Sequence, residues 1–204
     1  GGLPAALEHV DTSMSLAGNI KELFLEPEGR VRTLVERTII QEYSRLGSVF
    51  SLLTILGNGK RTYRELREKL DPRNTGNLSK LLKKLIDNET VVCLHPINRP
   101  DERKTTFYAI SDNLLRFYFT YVHPNRSRIQ QLGVDAVYEE FVQPSLPTYL
   151  SYRFGDTARS YFSRAVRAGL MKGIRDVGTY WYDGRERHRS WEFDCAVAYS
   201  DGYG

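Results

Sequence analysis

The 204 residues, 41% hydrophobic and 26% charged, have the balance of a soluble globular chain with enough length for one large or two small domains. No apolar run approaches the roughly 20 residues that cross a bilayer, which excludes a membrane partner and leads us to expect a cytoplasmic protein. A net charge of +4 with a pI near 9.0 permits a nucleic-acid partner without demanding one.

The chain opens without an initiator Met and without a basic-then-apolar leader, so a fragment or a processed chain is expected. In GGLPAALEHVDTSMSLAGNIKELFLEP, Leu16, Ile20, Leu23 and Phe24 recur at helical spacing until Pro27. Val49, Phe50, Leu52, Leu53, Ile55 and Leu56 form a strongly apolar helix that stops at Gly57-Asn58-Gly59, residues that tolerate positive φ. Thr62 then caps TYRELREKL, with Glu65 three residues on completing a capping box. After the turn DPRNTG, the run NLSKLLKKLIDN places Leu78, Leu81, Leu82, Leu85 and Ile86 on one stripe and leaves Lys80, Lys83, Lys84 and Asp87 off it. VVCLHPI and TTFYAI are strand-like runs separated by the basic loop NRPDERK, a hairpin with a wing-like tip. Residues 47–110 therefore spell a winged helix-turn-helix.

That arrangement suits duplex DNA, because the third helix can enter the major groove while the wing touches phosphates beside it. Asn77, Ser79, Lys80, Lys83 and Lys84 would read the groove, and Arg99, Arg103 and Lys104 would be the wing contacts. Lysines opposite a leucine stripe are equally the solvated face of an ordinary amphipathic helix, and winged helices also dock proteins. Cys93 and Cys195 fall in separate apolar strand-like runs and read as reduced, buried thiols. His9, His95, His123 and His188 have no metal-ligand spacing, which argues against zinc.

The stretch FYAISDNLLRFYFTYVHPNRS, residues 107–127, with Asp112 as N-cap and Pro124 ending the helix, resembles an element of one family of archaeal-type AAA ATPases. Ile110, Asp112, Asn113, Leu115, Arg116, Phe117, Phe119, Val122, Pro124, Asn125, Arg126 and Ser127 match its I-x-D-N-x-L-R-F-x-F-x-x-V-x-P-N-R-S pattern. Gly1, Gly2, Pro4 and Leu7 match the GG-x-P-x-x-L segment of that family's ATPase lid. The resemblance implies an upstream module binding ATP and Mg²⁺, then a winged helix, then a nuclease-like C-terminal domain. This sequence has no G-x-x-x-x-G-K-[ST] loop, so the chain itself cannot hydrolyse ATP, and no cofactor is expected within it. Arg116 and Arg126 are expected to satisfy buried carbonyls or carboxylates.

The family's last domain resembles the PD-(D/E)xK nucleases, in which an Asp on one strand and an E-x-K pair on the next hold Mg²⁺. In WEFDCAVAY, strict alternation puts Trp191, Phe193, Cys195, Val197 and Tyr199 on one face and Glu192, Asp194, Ala196 and Ala198 on the other. Asp194 matches the family's E-x-D strand, which makes Asp194 and Glu192 the candidate catalytic and metal-binding residues. Ser200-Asp201-Gly202 reads as a hairpin turn, and no E-x-K follows it in this sequence. Gly155 to Arg159 reads G-D-T-A-R where the family carries G-x-x-F-E, so Arg159 stands where a carboxylate is expected. Tyr180, Trp181 and Tyr182 are expected to pack the strands.

The expected fold is α+β: a lid remnant and leading helices over 1–46, a winged helix-turn-helix over 47–110, a linking helix and connector over 111–150, and a partial restriction-endonuclease-like α/β domain over 151–204. The expected function is duplex-DNA binding by the C-terminal region of an AAA-type ATPase. Two alternatives stay open: a metal-dependent nuclease domain cut short in this chain, and a protein-docking module with no nucleic-acid role. The edge of the last strand is expected to pair either with a further strand or with a second copy, making a homo-oligomer.

Overall fold

The computed structural model describes residues 4–43, 46–102, 106–184 and 189–204. The chain is α+β. Among the described residues, no helix is long and apolar enough to cross a membrane. Packing divides the chain into two compact units, Gly1–Cys93 with Phe107–Pro144, and Leu94–Thr106 with Ser145–Gly204.

The first unit begins with α1 (Pro4–Leu7) and α2 (Leu16–Ile20), the latter capped by Ser15, whose hydroxyl accepts from Gly18 N. A π-helical turn, Lys21–Leu25, prolongs α2, and α3 (Arg30–Glu42) follows. Val31, Val35 and Ile39, one helical turn apart, bury one face of α3. The expected apolar helix is α4 (Leu46–Gly57), which buries Val49, Leu52, Leu53 and Leu56. It ends where expected, and Gly59 takes up φ 112°. Gly57 is required for a different reason: a Cβ there would lie 2.5 Å from the carbonyl oxygen of Phe119.

Next come β1 (Arg61–Thr62) and α5 (Tyr63–Lys69). The capping box forms: Thr62 Oγ1 accepts from Glu65 N at 3.3 Å, and Glu65 Oε2 accepts from Thr62 N at 2.7 Å. These donors hold the Glu65 carboxyl below its ordinary value. Asp71 caps the short α6 (Pro72–Thr75) and, bonded by the Arg73 side chain and main chain, has its pKa lowered to about 2. Then α7 (Leu78–Asp87) buries Leu78, Leu82 and Leu85, and β2 (Val91–Leu94) and β3 (Phe107–Ile110) complete a three-stranded sheet of order β1-β3-β2.

The linking element is not one regular helix. α8 (Asn113–Phe117) starts at Asp112, whose Oδ1 accepts from Leu114 N and Leu115 N. A π-helical turn, Tyr118–Val122, and a 3-10 turn, His123–Asn125, then lead into α9 (Arg126–Leu132). Tyr118, Phe119, Tyr121 and Val122, four of the five residues of the π turn, are all buried. α10 (Val134–Val137) and a third π turn, Tyr138–Val142, close the unit.

The second unit is built on α11 (Leu146–Arg167) and a long antiparallel hairpin of β4 (Ile174–Gly184) and β5 (Arg189–Tyr199). Pairing corrects the expected alternation of β5. Gly178 pairs with Ala196 and Tyr180 with Phe193, so Phe193 and Ala196 share a face although three positions separate them. A β-bulge around Asp194 and Cys195 absorbs the extra residue and turns the strand over. Trp191 and Phe193 consequently lie with Ala196 and Ala198, on a face where both aromatic rings are exposed. Tyr182, paired with Trp191, is exposed as well, so the expected role of these rings in packing holds only for the half-buried Tyr180 and Trp181. After the turn at 200–202, the chain folds back on the outer edge of β5, with Tyr199 N donating to Gly202 O and Val197 N to Gly204 O.

Candidate nucleic-acid interface

The outward face of α7 follows from its composition. With Leu78, Leu82 and Leu85 buried, Asn77, Ser79, Lys80, Lys83 and Lys84 all fall on the exposed side. The helix starts at Asn77, whose side chain makes no cap bond among the described residues. These five residues are not equally free. Lys83 Nζ lies 2.7 Å from Asp87 Oδ2, an i,i+4 pair, and Lys84 Nζ sits 5.2 Å from the ring of Tyr43. Ser79 Oγ is 2.9 Å from the hydroxyl of Tyr63. Lys80 has no ion-pair partner among the described residues, and of the three lysines it lies nearest the start of the helix.

Tyr63 was not among the residues expected to matter. It is the first residue of α5, placed by the Thr62 cap, and its hydroxyl ties α5 to Ser79 in the exposed row of α7. The capping box that starts one position earlier, at Thr62, was the available signal, since it fixes where α5 begins.

The loop between β2 and β3 is held by the second unit, to which it belongs. Ile97 N donates to Thr179 O, and the Asn98 side chain both donates to Trp181 O at 2.7 Å and accepts from Trp181 N at 3.1 Å. This two-pronged amide contact covers the outer edge of β4. Arg99 is half-buried, its guanidinium 3.4 Å from Glu102. Arg103 and Lys104, the other two expected wing contacts, lie outside the described residues.

The arginines of the linking element do as expected. Arg116 Nε donates to Ile110 O at 3.0 Å, and Arg126 stands 4.0 Å from Glu36. Glu36 also accepts from Tyr118 OH at 2.8 Å and from Arg32 Nε at 3.2 Å, so one carboxylate ties α3 to the π turn and α9. Burial together with Glu36 drives the Tyr118 hydroxyl far above the ordinary tyrosine range.

Asp194 and Glu192 do not converge on a cation site. Glu192 is exposed and pairs across the hairpin with Trp181. Asp194 meets α11: a Cβ on Gly155 would lie 2.8 Å from Asp194 Cβ. Arg159 donates one guanidinium nitrogen to the Asp194 carbonyl and the other to Asp156, which also takes Arg153 at 2.7 Å. A guanidinium thus stands beside the expected metal strand. Among the described residues, no three of His, Cys, Asp and Glu are grouped to hold a metal ion. The Mg²⁺ that the nuclease resemblance implies therefore does not fit these residues, since it calls for several oxygen ligands in an octahedron.

Residues 118–202 match the family DUF234, described as archaea bacterial proteins of unknown function. An uncharacterized protein of Methanocaldococcus jannaschii is 26% identical over 136 residues, 66% of this chain and 30% of that protein. The chain thus spans about a third of that relative's length. No solved structure matches.

Proposed function

We propose that residues 47–110 are a winged helix-turn-helix that binds duplex DNA through the outward face of α7, within the C-terminal portion of an AAA-type ATPase. The observation that carries this is the two-sidedness of α7: Leu78, Leu82 and Leu85 are buried and its polar row is wholly exposed. The order of elements, with α4, β1, α5 and α7 followed by a hairpin and a sheet order of β1-β3-β2, supports the winged topology. ATP and Mg²⁺ belong to the ATPase module, which this sequence does not contain. Within the row, Lys80 and Asn77 contact phosphate and base edges, while Lys83 must first leave Asp87. Asp194 and Glu192 remain as carboxylates of a nuclease-like strand that does not cleave.

Fluorescence anisotropy with a labelled duplex at several salt concentrations tests this. Lys80→Ala with Lys83→Ala is expected to weaken binding by roughly tenfold or more and to flatten the salt slope by about two units. Equal binding by the wild type and the double variant would leave α7 as a solvated helix face.

A further inference from the structure

Helix α11 carries a second apolar stripe that nothing in its own unit covers. One side of the helix, with Gly155 and Ala165 buried, packs on the hairpin of β4 and β5. Beside that contact, on a face that stays exposed, Leu150, Phe154 and Tyr161 are 49%, 75% and 61% exposed. With Thr157 between them they recur at i, i+4, i+7 and i+11, the alternating four-and-three spacing of a coiled-coil seam. At 100° per residue the four fall within about 60° of arc and span about 16 Å, too narrow for a globular core face and matched to a single facing helix.

Charge selects the occupant. α11 holds four arginines and one acid, Asp156, which is taken up by Arg153 and Arg159. The remaining two lie at the C-terminal end of the stripe, Arg164 at the next seam position and Arg167 three residues on; both are exposed and bond only main-chain oxygens one turn back, Ser160 O and Ser163 O, among the described residues. Two copies of α11 facing one another would pair aromatic with aromatic and leave all four of these guanidiniums unanswered. A bilayer surface calls for a broad apolar face, which this stripe lacks. We propose that the outward face of α11 is a docking seam for an acidic amphipathic helix of a partner protein, leucine-type side chains meeting Leu150, Phe154 and Tyr161, and carboxylates meeting Arg164 and Arg167.

The test uses the whole chain and two synthetic three-heptad helical peptides with Leu at a and d, one with Glu and the other with Lys at e and g. Titration calorimetry is expected to show binding of the Glu peptide, at least tenfold weaker for the Lys peptide and weakening with added salt. Phe154→Ser with Tyr161→Ser is expected to remove binding while leaving the circular dichroism spectrum and melting unchanged, because both side chains are exposed. Arg164→Glu with Arg167→Glu is expected to reverse the preference toward the Lys peptide. Equal binding of both peptides, or of neither, overturns the proposal. So does concentration-dependent dimerisation in sedimentation, or co-sedimentation with phosphatidylserine vesicles, that is lost in the Phe154→Ser, Tyr161→Ser variant.

Discussion

His123 shows how a single half-buried side chain sets a pH limit. Its ring lies 4.9 Å from Phe50, 5.5 Å from Phe119 and 6.1 Å from Tyr118, and its Nδ1 is buried without a hydrogen-bond partner among the described residues. Burial, and then Arg126, hold its pKa below the ordinary 6.5, with Glu36 opposing and Arg32 adding a little. Below 6.5 the unfolded chain binds this proton and the folded chain resists it, so stability is present above 6.5 and is lost as pH falls toward the folded value. The melting temperature is expected to drop between pH 7.5 and 5.5, and His123→Phe to flatten that drop; a slope unchanged in the variant would count against it. The depressed carboxyls of Glu65 and Asp71 act in a lower window, at and below ordinary carboxylate values, and leave this one clear. Gly57 gives a second residue-scale expectation. Alanine in a helix ordinarily gains up to about 1 kcal/mol over glycine. Here the added carbon would meet a backbone oxygen at 2.5 Å, and backbone cannot swing aside. Gly57→Ala is therefore expected to lose about 1–3 kcal/mol in urea denaturation, the scale of overpacking.

Among the elements, those governed by a period were legible from residue types alone. The leucines of α7 and the apolar run of α4 announce a 3.6-residue repeat, and the Thr62–Glu65 box forms as its spacing requires. The polar row on α7 was legible for the same reason, being what remains when the stripe is buried. Its internal restraints were less so. The Lys83–Asp87 pair follows from i,i+4 spacing, but the Tyr43 ring against Lys84 comes from an element 41 positions away in sequence, visible only once folded. The bulge in β5 could not be read because alternation is a property of one strand, whereas a bulge is set by its partner's register. The π turns of the linking element escaped because Tyr118, Phe119, Tyr121 and Val122 recur at i, i+1, i+3 and i+4, a spacing that a regular helix satisfies as well. At this scale Thr62→Ala is expected to cost about 1 kcal/mol, read by the same denaturation curves, because the hydroxyl that accepts from Glu65 N is lost while the main-chain half of the box remains.

At the scale of the whole molecule, the guanidinium of Arg159 decides what the hairpin can do. It stands against the Asp194 main chain, where a cation-binding site would need negative charge. Plasmid nicking with Mg²⁺ or Mn²⁺ is expected to be absent, and any nicking that disappeared in Asp194→Ala would restore the nuclease. The second unit also does not consist of one continuous stretch of chain, since it borrows 94–106 from between two strands of the first. A piece starting at residue 145 would expose the outer edge of β4, a row of N–H and C=O groups that invites aggregation. Such a piece is expected to elute from size exclusion as larger species, and a peptide of residues 94–106 to bring it back toward monomer.

The same borrowed segment imposes an order in time. Asn98 leaves the ribosome 83 residues before Trp181, the residue whose main chain it grips. At 5–20 residues per second that interval is roughly 4 to 17 s. Helices and hairpins form in microseconds, so the helices on either side have ample time to pack before the partner edge exists. Through that interval the Asn98 amide has no β4 main chain to grip, and the segment waits on the last strands to be made.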